Sequence, residues 1–142
     1  MSLVVDASVA GKWLVPEPDS EKAEAILIAW QVGAVEVLAP DVIHAEVASM
    51  LWKRVMRGEF PKEEARRLYR HFFQLGIPLA RASDLVTEAL DVALEFRRSV
   101  YDGLYVALAV GLRWDLVTAD ERLHNALANN FPHVRLLRDW RP

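Results

Sequence analysis

The sequence predicts an α/β protein, a parallel sheet with helices covering both faces. Two patterns carry this prediction. Short apolar runs alternate with longer helical segments along the whole chain. The first run, "LVV" at Leu3–Val5, has no polar alternation, as expected of a strand buried on both sides. Length and composition agree. The chain has 142 residues, of which 53% are apolar and 26% charged, and no repeat or low-complexity linker divides it. That suits one compact core, and residues 1–142 are expected to form a single domain.

Leu3–Val5 opens the chain as a strand, and "ASVAGKWL" follows as a loop or brief helix. "PEPDSEKAEAILIAWQVG" predicts a helix with Asp19 or Ser20 as N-cap, acids in its first turn and Gly33 as its stop. "VEVLA" is a second strand. Pro40 and Asp41 are expected to open a long helix, with Asp41 as cap, running through Arg57 to Gly58. "PKEEARRLYRHFFQLG" predicts another, with Pro61 in its first turn and Gly76 at its end. "IPLA" is a short strand placed at a sheet edge by Pro78. "SDLVTEALDVALEFRR" is a helix capped by Ser83 or Asp84. A nearly all-apolar helix runs from Val100 to Val110 and turns at Gly111, then strand Leu116–Thr118. Helix "ERLHNALANN" and strand "HVRLL" finish the chain.

Composition narrows the function. There is no cysteine, so disulfides and thiolate metal sites are excluded, which fits a reducing cytoplasm. Asp6 breaks the apolar start too early for a signal peptide, and Leu104–Leu112 is too short to span a membrane. Net charge is −3, so the domain lacks an overall basic signature for nucleic acid. Binding a polyanion therefore requires local basic residues or metal ions.

Four acids stand where a carboxylate is costly to bury. Asp6 ends the first strand, and Asp120 stands in the same relation to the strand in "LVTAD". Ligands of open α/β sheets bind beyond such strand ends. Each is equally placed to cap the helical segment after it. Asp102 lies three residues after Ser99, the spacing of a capping box, and opens the buried helix. Glu46 has Ile43 at i−3, Val47 at i+1 and Met50 at i+4, so it lies on or beside the apolar stripe, and positions 42, 43, 49 and 50 offer no cation one turn away to pair with. Two carboxylates ~5 Å apart repel by roughly 3 kcal/mol at an effective dielectric of about 20. An all-carboxylate set with no Cys and no HxxxH pair suits Mg²⁺ or Mn²⁺, the ions of phosphodiester chemistry.

The pieces "VVDASV", "LAPDVIHAEVASML", "SVYDGLYVALA" and "LVTADERL", in this order, resemble the PIN-domain family, and within it the VapC-type toxins of toxin–antitoxin pairs. The resemblance covers essentially the whole chain. It implies a three-layer α/β/α sandwich with strand order 3-2-1-4-5, which sets Asp6 beside Asp120. It places the family's acidic quartet on Asp6, Glu46, Asp102 and Asp120, and supporting hydroxyls on Ser8 and Thr118. Gly103 stands where the family usually has alanine, a small-for-small exchange.

By that resemblance the chain is expected to be a metal-dependent endoribonuclease. Its partners are expected to be RNA, a cognate antitoxin and a second copy in a homodimer, with no membrane. A catalytically inactive PIN-like interaction module is the alternative. Lys12, Lys53, Arg97 and Arg98 are the basic residues nearest the acids in sequence and the candidates for phosphate contact. The aromatic residues divide between core and interface. Aspartyl-phosphate hydrolases need a "DxD" where this chain has "DAS", and a receiver domain needs an acid in "IPLARAS", which has none.

Overall fold

A computed structural model describes residues 1–142. Five parallel strands form the sheet: β1 (Ser2–Val5), β2 (Glu36–Pro40), β3 (Leu79–Ala80), β4 (Asp115–Thr118) and β5 (Val134–Leu136). Their order is β3-β2-β1-β4-β5, as the family resemblance implies. β1 is the central strand, and Leu3, Val4 and Val5 are fully buried, which is why that run carries no polar alternation. β3 lies at an edge, as expected from Pro78 just before it.

Seven helices flank the sheet: α1 (Ala7–Ala10), α2 (Ser20–Gln31), α3 (Ile43–Met56), α4 (Lys62–Leu75), α5 (Val86–Phe96), α6 (Val100–Leu112) and α7 (Glu121–Leu127). α6 packs across β1, β2 and β4, and its residues Gly103–Ala109 are all buried. Gly33 and Gly76 end α2 and α4 in the left-handed conformation expected of them.

Several boundaries differ from the sequence expectation: Asp19 precedes α2 with no side-chain cap bond, α7 stops at Leu127, and three more have a traceable reason. Asp41 does not cap α3. Strand β2 continues through Pro40, and Asp41 instead ties to the chain after β3: its N–H donates to Ala80 O at 2.8 Å and its Oδ1 accepts from Ala82 N at 3.2 Å. α3 therefore begins at Ile43 with no side-chain cap. Neither Ser83 nor Asp84 caps α5. Both lie in a 3-10 turn, Ala82–Asp84, that feeds into the helix and leaves no extended residue to cap it. Finally, α6 does not stop at Gly111. It continues to Leu112 and ends with Arg113 in the left-handed region at φ 58°, while Trp114 N–H donates to Ala109 O at 3.0 Å. Trp114 packs on the core, and that apolar contact sets the end of the helix.

Gly103 is a further correction. A Cβ there would collide with the Ala89 carbonyl, so the backbones of α5 and α6 touch at this point. Alanine is not a neutral exchange here. Gly103→Ala is expected to cost about 1–3 kcal/mol through overpacking, read as a lowered midpoint in chemical denaturation. An unchanged midpoint would mean that the two helices separate freely.

Candidate active site

β1 and β4 run side by side with Val5 opposite Val117, so the residues just past both strands meet at the carboxyl edge of the sheet. A pocket of about 590 Å³ opens there, and Asp6, Glu46, Asp102 and Asp120 all line it, with Ser8 beside them. Four sequence segments thus bring the four acids to one cavity, where ligands of open α/β sheets bind.

Each carboxylate is tethered, and each keeps acceptor capacity. Asp6 is buried and caps α1: its Oδ1 accepts from Ser8 Oγ and from Val9 N (3.2 Å), and its Oδ2 accepts from Thr118 Oγ1. A carboxylate offers about four lone-pair sites, so one remains on Oδ2. Asp120 caps α7 through Oδ1, which accepts from Arg122 N at 2.9 Å and Leu123 N at 3.1 Å, leaving Oδ2 without a hydrogen bond. Glu46 Oε1 accepts from the Tyr105 hydroxyl at 2.7 Å, leaving Oε2.

Asp102 has its N–H capped by Ser99 Oγ at 3.0 Å, half of the expected capping box. Its Oδ2 lies 3.4 Å from Arg98 Nε, an ion-pair contact too poorly aligned to count as a hydrogen bond. Capping and lining the pocket are not alternatives: at Asp6 and Asp120 one side chain does both.

Ser8, on the pocket wall, and Thr118, buried behind it, brace Asp6. Ser8 Oγ accepts from Ala119 N at 2.8 Å while donating to Asp6, and Thr118 Oγ1 accepts from Asp120 N at 3.1 Å while donating to the same carboxylate. The two hydroxyls pin the end of β4 to the end of β1.

The pocket holds Asp6, Glu46 and Asp102 toward the neutral form. Burial pushes the Asp6 carboxyl up to about 6 against the hydrogen bonds from Ser8, Thr118 and Val9, and Glu46 adds to the rise. Glu46 is raised by burial first, opposed by the Tyr105 hydrogen bond and reinforced by Asp102. Asp102 is also raised, chiefly by burial, with Arg98 pulling it down and Asp120 pushing it up. The repulsions run as a chain, Asp6 to Glu46 to Asp102 to Asp120.

That donor set suits a hard divalent cation, all oxygen and electrostatically strained without one. No three of the carboxylates stand close enough to enclose an ion between them. This favours Mg²⁺-like ions, which keep several waters and bind through one or two carboxylates, over a dehydrated protein cage.

Of the basic candidates, only Lys53 lines the pocket, and its ammonium has no carboxylate partner. Arg98 is held against Asp102, Lys12 pairs with Glu17 at 3.9 Å, and Arg97 ends α5 in the left-handed region, away from the pocket lining. Among the aromatics, Phe72 is buried and Trp13 stacks on Trp30, whereas Trp52 and Phe73 are exposed.

Tyr105 is the residue that sequence reading passed over. In "GLYVALAV" it reads as one more apolar helix position, and its hydroxyl partner lies on another helix, 59 residues away. Arg98 as the partner of Asp102 was within reach of the i,i+4 rule.

The fold and the four-acid pocket define an α/β domain of one family. The PIN domain family matches residues 3–128, and the chain belongs to it. It is 34% identical over 134 residues to ribonuclease VapC3 of Pyrobaculum aerophilum, a match spanning 93% of this chain and 96% of that protein. Its fold is also that of PAE2754 from Pyrobaculum aerophilum, whose crystal structure superposes with a TM-score of 0.69 at 21% identity, covering 97% of this chain and 93% of that one.

Proposed function

We propose that this chain is a single-domain, divalent-metal-dependent endoribonuclease, the toxin of a toxin–antitoxin pair, working in the cytoplasm as a homodimer. The arrangement that carries the reading is the pocket of four carboxylates, each tethered by one part and open at another. The name of the relative, ribonuclease VapC3, supports RNA as substrate. The same name and the sequence motifs support a cognate antitoxin as partner. The dimer rests on family resemblance.

When bound, Mg²⁺ or Mn²⁺ supplies Lewis acidity to the scissile phosphate and acidifies a water. Asp6, Asp102 and Asp120 are the proposed ligands, one or two of them directly and the rest through waters that the ion keeps. Glu46 is a further ligand or orients the attacking water from the free Oε2. Ser8 and Thr118 fix the direction of the Asp6 carboxylate, as partners of ligating groups commonly do. Lys53, on the pocket wall, holds a flanking phosphate as a point charge.

The test is a cleavage assay with purified protein and transfer RNA. Cleavage is expected with Mg²⁺ or Mn²⁺, to stop on adding EDTA and to return with excess Mn²⁺, while simple phosphomonoesters stay intact. Cleavage indifferent to EDTA overturns the metal assignment. No cleavage with any divalent ion leaves the interaction-module reading.

A further inference from the structure

We infer that Tyr101 is a base-stacking residue of this pocket, receiving an unpaired base of the substrate strand beside the phosphate held by Lys53. This deepens the ribonuclease reading and rests on it.

Tyr101 lines the acid pocket next to Asp102, yet it is 58% exposed. Its hydroxyl makes no hydrogen bond and its ring meets no other aromatic. The contrast with Tyr105, one turn along the same helix, is direct: that ring is 2% exposed and its hydroxyl is engaged by Glu46. The two tyrosines line one cavity and only one is used by the fold.

The exposed ring stands on a fixed base. It belongs to the first turn of α6, where Ser99 caps the helix through Asp102 N, and Gly103 locks that turn against α5. The backbone that carries it is ordered before any ligand arrives, which lowers the entropic cost of stacking. α3 contributes the complementary group, the Lys53 ammonium, the one pocket cation without a carboxylate partner.

A cation for the backbone and a free aromatic face for the base are the two elements by which proteins hold single strands. Every base offers a π-face, so the contact selects an unpaired nucleotide over a stacked one and not a particular sequence. A base inside a duplex cannot present its face to Tyr101 without being unstacked. The structure therefore assigns single-strand preference to this side chain as well as to the acids' depth in the pocket.

The experiment compares wild type, Tyr101→Ala and Tyr101→Phe on a single-stranded RNA in Mn²⁺, with an otherwise identical strand in which the base next to the cut is replaced by an abasic residue. Stacking of one base predicts that Tyr101→Ala lowers kcat/KM about 5- to 150-fold, carried mainly by KM, and that Tyr101→Phe restores it. The abasic strand is expected to impair wild type by a similar factor and Tyr101→Ala hardly further. Mn²⁺ affinity by calorimetry and the molecular mass in solution are expected to be the same in all three proteins. The inference is overturned if Tyr101→Ala cleaves as wild type does, if the alanine and abasic losses multiply independently, or if the variant changes its oligomeric state, which marks Tyr101 as an interface residue. A wild type that cleaves no RNA ends the ribonuclease reading and this inference together. A cleaving wild type with an indifferent Tyr101→Ala ends this one alone.

Discussion

Replacing Asp6 with asparagine is expected to lower RNA cleavage by more than about 100-fold while leaving the metal-free protein more stable than wild type at neutral pH. The activity loss should exceed the roughly 10–100-fold that removal of a supporting partner costs, because the substitution removes charge from the most buried of the four acids. The stability gain follows from the same burial. The Asp6 carboxyl is pushed from 3.8 in the unfolded chain to about 6 in the fold. Below pH 4 both states hold the proton and nothing is lost. Between pH 4 and 6 the unfolded chain releases it first, so stability falls as pH rises, by about 3 kcal/mol in all, and is flat above.

Asparagine has no such proton. Its carbonyl still accepts from Ser8 and Val9, and the Thr118 hydroxyl can turn to accept from its amide. Urea titrations in EDTA at pH 4 and pH 7.5 test this. Wild type is expected to weaken between the two, and the variant, which keeps the raised Glu46 and Asp102, to weaken less and to be about 1–3 kcal/mol more stable at the higher pH. An asparagine variant that cleaves at the wild-type rate removes Asp6 from the mechanism. One that unfolds makes its carboxylate a structural necessity.

Tyr105→Phe is expected to weaken Mn²⁺ binding about 10- to 100-fold, the usual effect of removing the partner that orients a ligating group. Burial first, and then the neighbouring carboxylates Glu46, Asp6 and Asp102, push the phenol's ionisation far above the physiological range, so the hydroxyl is always a donor. Phenylalanine keeps the ring in the core and deletes only the 2.7 Å hydrogen bond that fixes Glu46. The same variant leaves Glu46 free to swing toward solvent, so a double substitution with Glu46→Gln is expected to be less than additive. Calorimetric titration of RNA-free protein with Mn²⁺ reads both. Wild-type affinity in Tyr105→Phe would show that Glu46 needs no positioning.

The sheet was legible in the sequence because parallel strands buried on both faces announce themselves as unbroken apolar runs, as Leu3–Val5 does. The ends of helices were less so wherever a distant segment decides them. Asp41 has the chemistry of a cap but serves the chain after β3, and Gly111 has the chemistry of a stop but is overruled by the packing of Trp114. The acids stood out because charge beside apolar sequence is expensive. Ser8 and Thr118 were reached through family likeness, since a small hydroxyl carries no local signal of being buried against a carboxylate. Tyr105 and the contact of Gly103 with Ala89 depend on which helix lies opposite, and one strand of sequence does not state that.

The join between β1 and β4 has a consequence for biosynthesis. Asp6 and the hydroxyl that holds it, Thr118, stand 112 residues apart in sequence, so Asp6 is synthesised well before Thr118 and Asp120 complete its surroundings. A nascent or prematurely terminated chain therefore carries most of the acidic residues but no finished cavity. A protein built this way assembles its acid pocket only after β4 has been synthesised.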